Sequence, residues 1–307
     1  MIKYYYRKSA KTLFTLSETH RAGAVGVIEH ATDADVQHMA EKLNLDVHDL
    51  IDIFDTQEIP RLEMLDNAAL LFIRTPLPLE DMSSLETQLC MVVLARKKIW
   101  IATPGDAPYV KELFGTAKLT TIRPATVLLA LLHSISRHYT QLTNQVSKKV
   151  NLTRQRFRQG SERDLEELLS FEAILNEYVS ALAPMVQICK TLLSSKKIQT
   201  TESDEDLITE VLTNLSQTSE ICLVNLKKIH ALRDSFQIVF TNRLNHAVKI
   251  LTAATIILTI PTMFASLFGM NVALPFSEMK HAFWLVVGIA VFVSVLSAVW
   301  FKRNKMI

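Results

Sequence analysis

The sequence predicts an α/β domain followed by long helices and two membrane-spanning helices at the C-terminal end. Three observations predict this fold class: short apolar runs in the first third, long helical periodicity after Pro124, and two uncharged segments near the end. In chain order the predicted parts are an α/β domain (residues 1–124), a helical hairpin (125–205), a stalk helix (206–248), a first span (249–268), a loop (269–281), a second span (282–301) and a basic tail (302–307).

Five runs in the first third have the composition of β-strands, being short, apolar or aromatic, and bounded by polar or turn residues. They are Ile2 to Tyr6, Ala24 to Ile28, Ala68 to Ile73, Gln88 to Leu94 and Ile99 to Thr103. The last two are close enough in sequence to form a hairpin. Between the early strands, Asp33 is placed to cap a helix with one apolar face, formed by Val36, Met39, Ala40 and Leu43. Strands and a helix together predict an α/β domain.

Long helices are predicted for most of the remaining chain. Thr126 to Arg158 and Asp164 to Leu193 predict an antiparallel pair, followed by a linker from Ser194 to Ser203. Leu207 to Phe268 predicts one helix of roughly 90 Å, at about 1.5 Å per residue, with a candidate kink at Pro261. A helix of this length cannot bury its apolar side alone. We therefore expect it to pack against the preceding helices and against copies of itself.

Two C-terminal segments are long enough and apolar enough to cross a bilayer. Neither Ile250 to Asn271 nor Ala282 to Phe301 contains an ionisable side chain, and a span needs roughly 20 such residues. Basic residues flank the two spans on one side, namely Arg243, Lys249, Lys302, Arg303 and Lys305. By the positive-inside rule both termini are cytoplasmic and the loop is external. Met1 to Lys11 lacks the apolar core of a signal peptide, so the N-terminal part is expected in the cytosol. The expected location of the two spans is the cell membrane, that is, the inner or plasma membrane.

Several function classes find no support in the sequence. The net charge of +2, from 33 basic and 31 acidic residues, does not indicate a nucleic-acid partner. Cys90, Cys189 and Cys222 are widely spaced, as expected of reduced thiols. There is no phosphate-binding glycine loop, and His133 and His138 are five residues apart, off a common helical face. An enzyme and an organic cofactor are therefore disfavoured.

The first span carries a regular line of hydroxyl side chains, which we call the hydroxyl stripe. Its members are separated by three, four, three and four residues: Thr252, Thr255, Thr259, Thr262 and Ser266. That spacing places them on one helix face. In hydrocarbon a hydroxyl needs a partner, so the stripe should face other helices or water, and symmetric copies could enclose water around an axis. The other interpretation is that these hydroxyls bond back to the i−4 carbonyl or join helix to helix.

Gly269, Met270 and Asn271 follow the stripe directly, at the predicted external mouth. Gly269 stands where a glycine ends a helix and leaves its last carbonyls facing outward. Asn271 adds an amide oxygen. Repeated around an axis, these groups would form a neutral ring of oxygens. Such a ring suits hydrated Mg²⁺, which surrenders its water reluctantly and must still be released.

The tripeptide GMN, placed at the outer end of the first of two C-terminal spans and combined with a long stalk and a basic tail, resembles the CorA family of metal-ion transporters. The resemblance covers the whole chain, more loosely in the N-terminal half, where residues 45–67 are similar to the family's cytoplasmic domain. It implies a funnel-shaped homopentamer in which the first span lines the pore, with Mg²⁺ both transported and regulatory. Gly269, Met270 and Asn271 match the selectivity motif.

The same resemblance implies roles for other residues. The positions that match the family's pore face are Asn245, Leu251, Thr255, Thr259, Thr262 and Ser266, with Leu251 as the hydrophobic gate. Regulatory Mg²⁺ is implied at carboxylates between neighbouring subunits. The acidic cluster near the start of the stalk comprises Glu202, Asp204, Glu205, Asp206 and Glu210, and a second acidic set comprises Asp46, Asp49, Asp52 and Asp55. A charge run of this kind also fits an ordinary solvated helix start.

Two alternatives stay open from the sequence. The first is a zinc, cobalt or nickel transporter of the same architecture. His246 and His281 do not favour it, because neither has a second histidine or cysteine at ligand spacing. The chain also departs from many relatives after the GMN motif, where only Glu278 remains to attract cations. The second alternative is a membrane-tethered sensor whose two spans only anchor it. An anchor needs no ordered hydroxyl face.

Overall fold

The computed structural model describes residues 2–6, 14–17, 24–77, 87–95, 98–115, 123–156, 162–194, 201–270 and 281–304. The chain divides into two compact units, one from Met1 to Leu232 and one from Arg233 to Ile307. The first unit holds a mixed β-sheet with helices on both faces and a helical bundle. The second holds the C-terminal part of one long helix and the last helix.

Seven strands form one sheet among the described residues. They are β1 (Ile2–Tyr6), β2 (Thr15–Ser17), β3 (Val25–Ile28), β4 (Arg61–Met64), β5 (Ala68–Pro76), β6 (Thr87–Ala95) and β7 (Lys98–Ala102). Their order is β2-β1-β3-β7-β6-β5-β4, and every pair is antiparallel except β3 with β7. The five predicted strands and the β6–β7 hairpin are confirmed. The two edge strands, β2 and β4, were not predicted from the sequence, because neither is a sustained apolar run.

The sheet is apolar on both faces, which explains why its central strands read as continuous apolar runs. Leu71 and Ile73 of β5 belong to the core that includes the long helices, whereas Leu70 and Phe72 belong to the core beneath the first helix. Gly26 of β3 makes room for Trp100 of β7, since an added Cβ would lie 2.6 Å from the indole ring. The α/β domain is therefore a layered core with the sheet in the middle.

Helix α1 (Asp33–Leu43) begins one residue earlier than the sequence suggested. Thr32, not Asp33, is the N-cap: its hydroxyl accepts a hydrogen bond from the backbone N–H of Asp35, and the Asp35 carboxylate accepts from the backbone N–H of Thr32. The predicted cap at Asp33 is wrong because this reciprocal capping box starts at the threonine. Two 3₁₀ turns, Val47–Asp49 and Ile51–Phe54, and helix α2 (Pro108–Gly115) complete the domain.

The four remaining helices are α3 (Pro124–Arg156), α4 (Glu162–Ser194), α5 (Glu202–Phe268) and α6 (Ala282–Arg303). All four were predicted. α5 starts before the predicted Leu207 and continues through Pro261 without interruption. Most of the predicted linker lies outside the described residues. Both α5 and α6 are long and apolar enough to cross a membrane, judged by length and composition.

Helices α3, α4 and α5 bury side chains at alternating intervals of three and four residues, the repeat of a coiled coil. On α5 the buried positions are Asp204, Ile208, Val211, Leu215, Thr218, Cys222, Asn225 and Ile229. α3 and α4 are antiparallel, as predicted: Tyr139 meets Tyr178 with ring centroids 5.2 Å apart, and the Thr153 hydroxyl donates to Glu167 at 3.0 Å. The N-terminal part of α5 therefore packs against the preceding helices, as the sequence predicted.

Candidate functional site

All five members of the hydroxyl stripe are exposed in the second unit. Between residues 250 and 268, the residues of α5 that lose exposure are Ala253, Ile257, Ile260, Pro261 and Phe264, of which Ala253 is fully buried. All of them except Pro261 stand two residues before a stripe member. Two residues correspond to a rotation of about 200° on an α-helix. The stripe therefore occupies the helix face opposite the covered one.

The stripe hydroxyls make intrahelical hydrogen bonds. Four threonines, Thr252, Thr255, Thr259 and Thr262, donate to the carbonyl oxygen four residues earlier, at distances between 2.7 and 3.0 Å. Back-bonding, one of the two interpretations open from the sequence, is thus present. It uses the hydroxyl hydrogen and leaves lone pairs on the oxygen. The exposed face consequently presents hydrogen-bond acceptors.

Helix α6 arranges its hydroxyls in the opposite way. Ser294 and Ser297 donate to the carbonyls of Ala290 and Val293 at 2.8 and 2.9 Å, but both are half-buried, next to the buried Ala290. The exposed face of α6 is aliphatic and aromatic. Trp284, 72% exposed, and Trp300, 58% exposed, lie near its two ends. That distribution is typical of a helix with lipid on its open side and aromatic anchors at both interfaces.

The remaining predicted pore residues are exposed as well. Asn245 lies on α5 before the apolar segment, and Leu251 is 69% exposed. Leu251 belongs to a long exposed apolar surface that also includes Ile250 and Leu258, and a contiguous apolar surface of this kind indicates contact with lipid or another chain. The structure of one chain places Leu251 on an uncovered surface.

α5 ends at Phe268, and Gly269 follows it directly, as predicted. The backbone N–H of Gly269 donates to the carbonyl of Ala265 at 3.0 Å, and that of Met270 donates to Leu267 at 3.4 Å. These two carbonyls are therefore occupied within the chain, contrary to the expectation that the last carbonyls are left open. An added Cβ at Gly269 would lie 3.2 Å from the carbonyl oxygen of Ala265, so glycine fits best here. Asn271 lies outside the described residues.

Within the acidic cluster, Asp204 differs from its neighbours. It is buried, accepts hydrogen bonds from the hydroxyls of Thr126 and Thr201 at 3.0 and 2.7 Å, and pairs with Arg123 at 3.2 Å. Burial disfavours its ionised form, but these hydrogen bonds and the arginine charge outweigh burial and lower the pKa of Asp204. Asp204 therefore already has a structural role at the start of α5.

The other four acids of the cluster, Glu202, Glu205, Asp206 and Glu210, are exposed, and Glu210 lies 3.2 Å from His133. In the second acidic set, Asp46 accepts from the backbone N–H of His48 and Asp55 from that of Gln57, while Asp52 pairs with Arg61 at 2.6 Å. Asp49 is half-buried. Nowhere in the described parts of the chain do three histidine, cysteine, aspartate or glutamate side chains form a group that could hold a metal.

Two of the histidines considered in the sequence analysis have carboxylate partners, while His246 and His281 are exposed. His133 lies near Glu210, and His138 Nε2 is 2.9 Å from Glu112. The residues that sequence reasoning missed are Arg123 and Thr126, which position Asp204. The one sequence signal for Arg123 is the acidic cluster near the start of α5, since so many acidic residues together favour a basic partner.

Comparison with known proteins gives a consistent result. The family model described as "CorA-like Mg2+ transporter protein" matches residues 27–303. The cobalt/magnesium transport protein CorA of Methanocaldococcus jannaschii is 22% identical over 286 residues, which is 90% of this chain and 88% of that protein.

Solved structures show the same fold. The complete CorA magnesium transporter from Methanocaldococcus jannaschii superposes with a TM-score of 0.84 at 19% identity, covering 100% of this chain and 99% of the other. The full-length CmaX protein superposes with a TM-score of 0.75 at 16% identity, covering 100% of this chain and 97% of the other. The α/β domain, the long helix and the two C-terminal apolar helices are common to this fold.

Proposed function

The chain belongs to the CorA-like Mg²⁺ transporter family, and we propose that copies of it assemble in a membrane into a channel that conducts hydrated Mg²⁺ along the hydroxyl stripe. The observation that carries this proposal is the uncovered face of α5, where the five stripe residues lie opposite the covered residues Ala253 and Ile257. Within one chain, no described residue covers the stripe. Several copies around an axis give it water on one side and helices on the other.

The chemistry of the stripe suits a hydrated cation. The water molecules bound to Mg²⁺ donate hydrogen bonds outward, and the back-bonded threonines offer oxygen lone pairs to receive them. These oxygens are neutral, so they do not hold the ion too tightly for release. A chloride ion would need donors, and the threonine hydroxyl hydrogens are already used within the helix.

The outer and inner ends of the path have different chemistry. At the outer end, the amide oxygen of Asn271 and the backbone at Gly269 and Met270 form the selectivity ring. At the inner end, Leu251 forms an apolar constriction that closes by losing its water. Asn245 lies at the inner mouth. The membrane potential supplies about 2.3 kcal/mol per charge per 100 mV, hence about 4.6 kcal/mol for a divalent ion, so no ATP is needed.

The assembly is a homopentamer with a funnel-shaped cytoplasmic part, both termini being cytoplasmic in the cell membrane. Regulation uses cytoplasmic Mg²⁺ held between neighbouring subunits by the exposed acids Glu202, Glu205, Asp206 and Glu210, with the second acidic set as opposing ligands. Asp204 contributes less, because Arg123 and Thr126 already satisfy it. Loss of bound Mg²⁺ releases the stalks and opens the constriction.

The function is tested by flux into liposomes containing the purified protein. Asn271→Ala should reduce Mg²⁺ uptake by at least about tenfold, because the ring loses its amide oxygens, while the oligomer still assembles. Parallel measurements with Mg²⁺, Co²⁺ and Zn²⁺ rank the ions, since the relative in Methanocaldococcus jannaschii is described as a cobalt/magnesium transport protein. Undiminished uptake by the variant refutes the selectivity ring. Wild-type protein that passes no cation supports the membrane-anchored sensor instead.

A further inference from the structure

The contact between α3 and α5 contains a ladder of polar pairs. Four pairs repeat along it, Thr126 with Asp204, His133 with Glu210, Thr140 with Thr218, and Ser147 with Asn225, at 3.0, 3.2, 2.8 and 3.3 Å. Their sequence separations are 78, 77, 78 and 78. A separation that stays at 77 or 78 along the contact means that the two helices run parallel. On α3 the pairs recur every seventh residue, which is the heptad repeat.

Three members of the ladder on α5 are almost fully buried: Asp204, Thr218 and Asn225 have 2%, 1% and 1% of their surface exposed. Each has a protein partner. Asn225 donates to the carbonyl of Ile221 at 2.9 Å and accepts from Ser147. Buried polar pairs in a coiled coil lower stability relative to apolar residues, and their best-attested role is to select one register.

Apolar packing alone does not select a register for these helices. Both bury residues in a heptad repeat, so sliding α5 along α3 by seven residues would place core positions opposite core positions again. Such a slide corresponds to about 10 Å along the helix axis. The contact between α3 and α5 therefore needs a feature that does not repeat every seven residues if one register is to be favoured.

The polar ladder supplies that feature, because its order along α5 is irregular. At seven-residue intervals α5 presents Asp204, Val211, Thr218, Asn225 and Leu232. A slide in one direction places Val211 opposite Thr140, and a slide in the other places Leu232 opposite Ser147. Either slide also removes Asp204 from Thr126. Only the observed register places polar side chains opposite Thr126, Thr140 and Ser147 together. Opposite His133 the series has Val211, and His133 contacts the neighbouring Glu210 instead.

We infer that Asp204, Thr218 and Asn225 are positioning residues that hold α5 in one axial register against α3. The inference concerns the bundle and does not depend on the transported ion. α5 also carries the hydroxyl stripe, so these residues act on transport through the position of a helix and not by touching the ion.

Native Cys222 provides a reporter of the register, since its Sγ lies 3.5 Å from Thr143 Oγ1. In full-length protein with Cys90→Ala and Cys189→Ala, Thr143→Cys reports the observed register. Ser136→Cys and Val150→Cys, both at buried positions seven residues away, report the two slides. Mild oxidation should convert about nine-tenths of the Thr143→Cys protein to the disulfide and less than about one-tenth of the others, because only position 143 has its side chain in contact with Cys222 in the observed register.

The decisive variant removes the middle of the ladder through Thr140→Val, Thr218→Val, Ser147→Ala and Asn225→Leu. The disulfide yield at Thr143→Cys should then fall at least about threefold, with a matching rise at Ser136→Cys or Val150→Cys, while the melting temperature stays equal or rises. Cross-linking that remains confined to Thr143→Cys overturns the inference. So does a lowered melting temperature with an unchanged register, which is what a merely stabilising role predicts. If the fourfold variant loses its helical circular dichroism, the double variant Thr140→Val with Thr218→Val, which keeps the side-chain volumes, replaces it. Its disulfide yields and melting temperature are measured in the same way and have the same expected outcomes.

Discussion

The two segments of α5 belong to one helix but meet different surroundings. From Glu202 to Leu232 the helix buries a residue every three or four positions against α3 and α4. From Arg233 to Phe268 the only fully buried residue is Ala253, although the segment is rich in large apolar side chains. Leu251 and Leu258 are 69% and 71% exposed. The difference shows that apolar content and burial within one chain are separate properties. In the proposed channel, lipid and neighbouring subunits surround the second segment.

Buried and exposed threonines of α5 make different hydrogen bonds. In the first segment the buried Thr218 meets Thr140 on another helix at 2.8 Å, whereas the exposed Thr209 and Thr213 donate to carbonyls of their own helix. In the second, Thr255 and Thr259 donate to their own helix and keep their oxygens on an open face. A hydroxyl that bonds across helices fixes packing. A line of back-bonded, outward-facing hydroxyls is suited to water or an ion.

The largest effect is expected from removing the stripe oxygens without changing their volume. Thr255→Val with Thr259→Val should reduce Mg²⁺ flux in liposomes by at least about tenfold, because the water molecules bound to the ion lose their hydrogen-bond acceptors along this part of the path. The matched control is Ser294→Ala with Ser297→Ala on the covered side of α6. Equal flux in both double variants would mean that the threonines do not line the path.

A smaller effect is expected from the acidic cluster at the start of the first segment, where the exposed acids and the buried Asp204 should behave differently. Replacing Glu202, Glu205, Asp206 and Glu210 by Gln or Asn should raise the cytoplasmic Mg²⁺ concentration that half-inhibits flux by about fivefold or more, since ligand charge sets affinity. The melting temperature should hardly change. Unchanged inhibition would remove these acids from the regulatory site.

Asp204→Asn should show the reverse pattern, with destabilisation of about 2 kcal/mol from the loss of charged hydrogen bonds and little change in Mg²⁺ inhibition. Because the pKa of Asp204 is lowered in the folded protein, its contribution is complete at neutral pH and is lost as the pH falls through the folded-state pKa. The difference in melting temperature between wild type and variant should therefore shrink below about pH 4. A difference independent of pH would show that the carboxylate charge is not what stabilises.

The sequence predicted those parts of the fold that have sustained periodicity. The strands of the sheet centre and all four long helices were found because their apolar runs and repeats are long. Thr15–Ser17 and Arg61–Met64 were missed because an edge strand takes its pairing from a neighbour and not from its own composition. The cap at Thr32 was misplaced by one residue, since Asp33 and Thr32 are both good capping residues and only the geometry distinguishes them.

The hydroxyl stripe and the acidic cluster were predictable to different degrees. The spacing of Thr255, Thr259 and Thr262 fixes their common face, and the structure places that face away from the covered one. The burial of Asp204 could not be read from the sequence, because its partner Arg123 is 81 residues away. A charge run gives no information about which of its members finds a long-range partner.

The most direct test of the central claim asks whether the stripe faces water. Thr259→Cys and, on the exposed face of α6, Val295→Cys are compared in reconstituted protein for reaction with a charged, water-soluble thiol reagent. The native cysteines give little background, since burial raises the pKa of Cys90 and Cys189 to about 12 and that of Cys222 to about 11. Thr259→Cys is predicted to react at least about tenfold faster and to lose Mg²⁺ flux on modification, because the reagent does not enter lipid. An inert Thr259→Cys, or one no faster than Val295→Cys, would contradict the account.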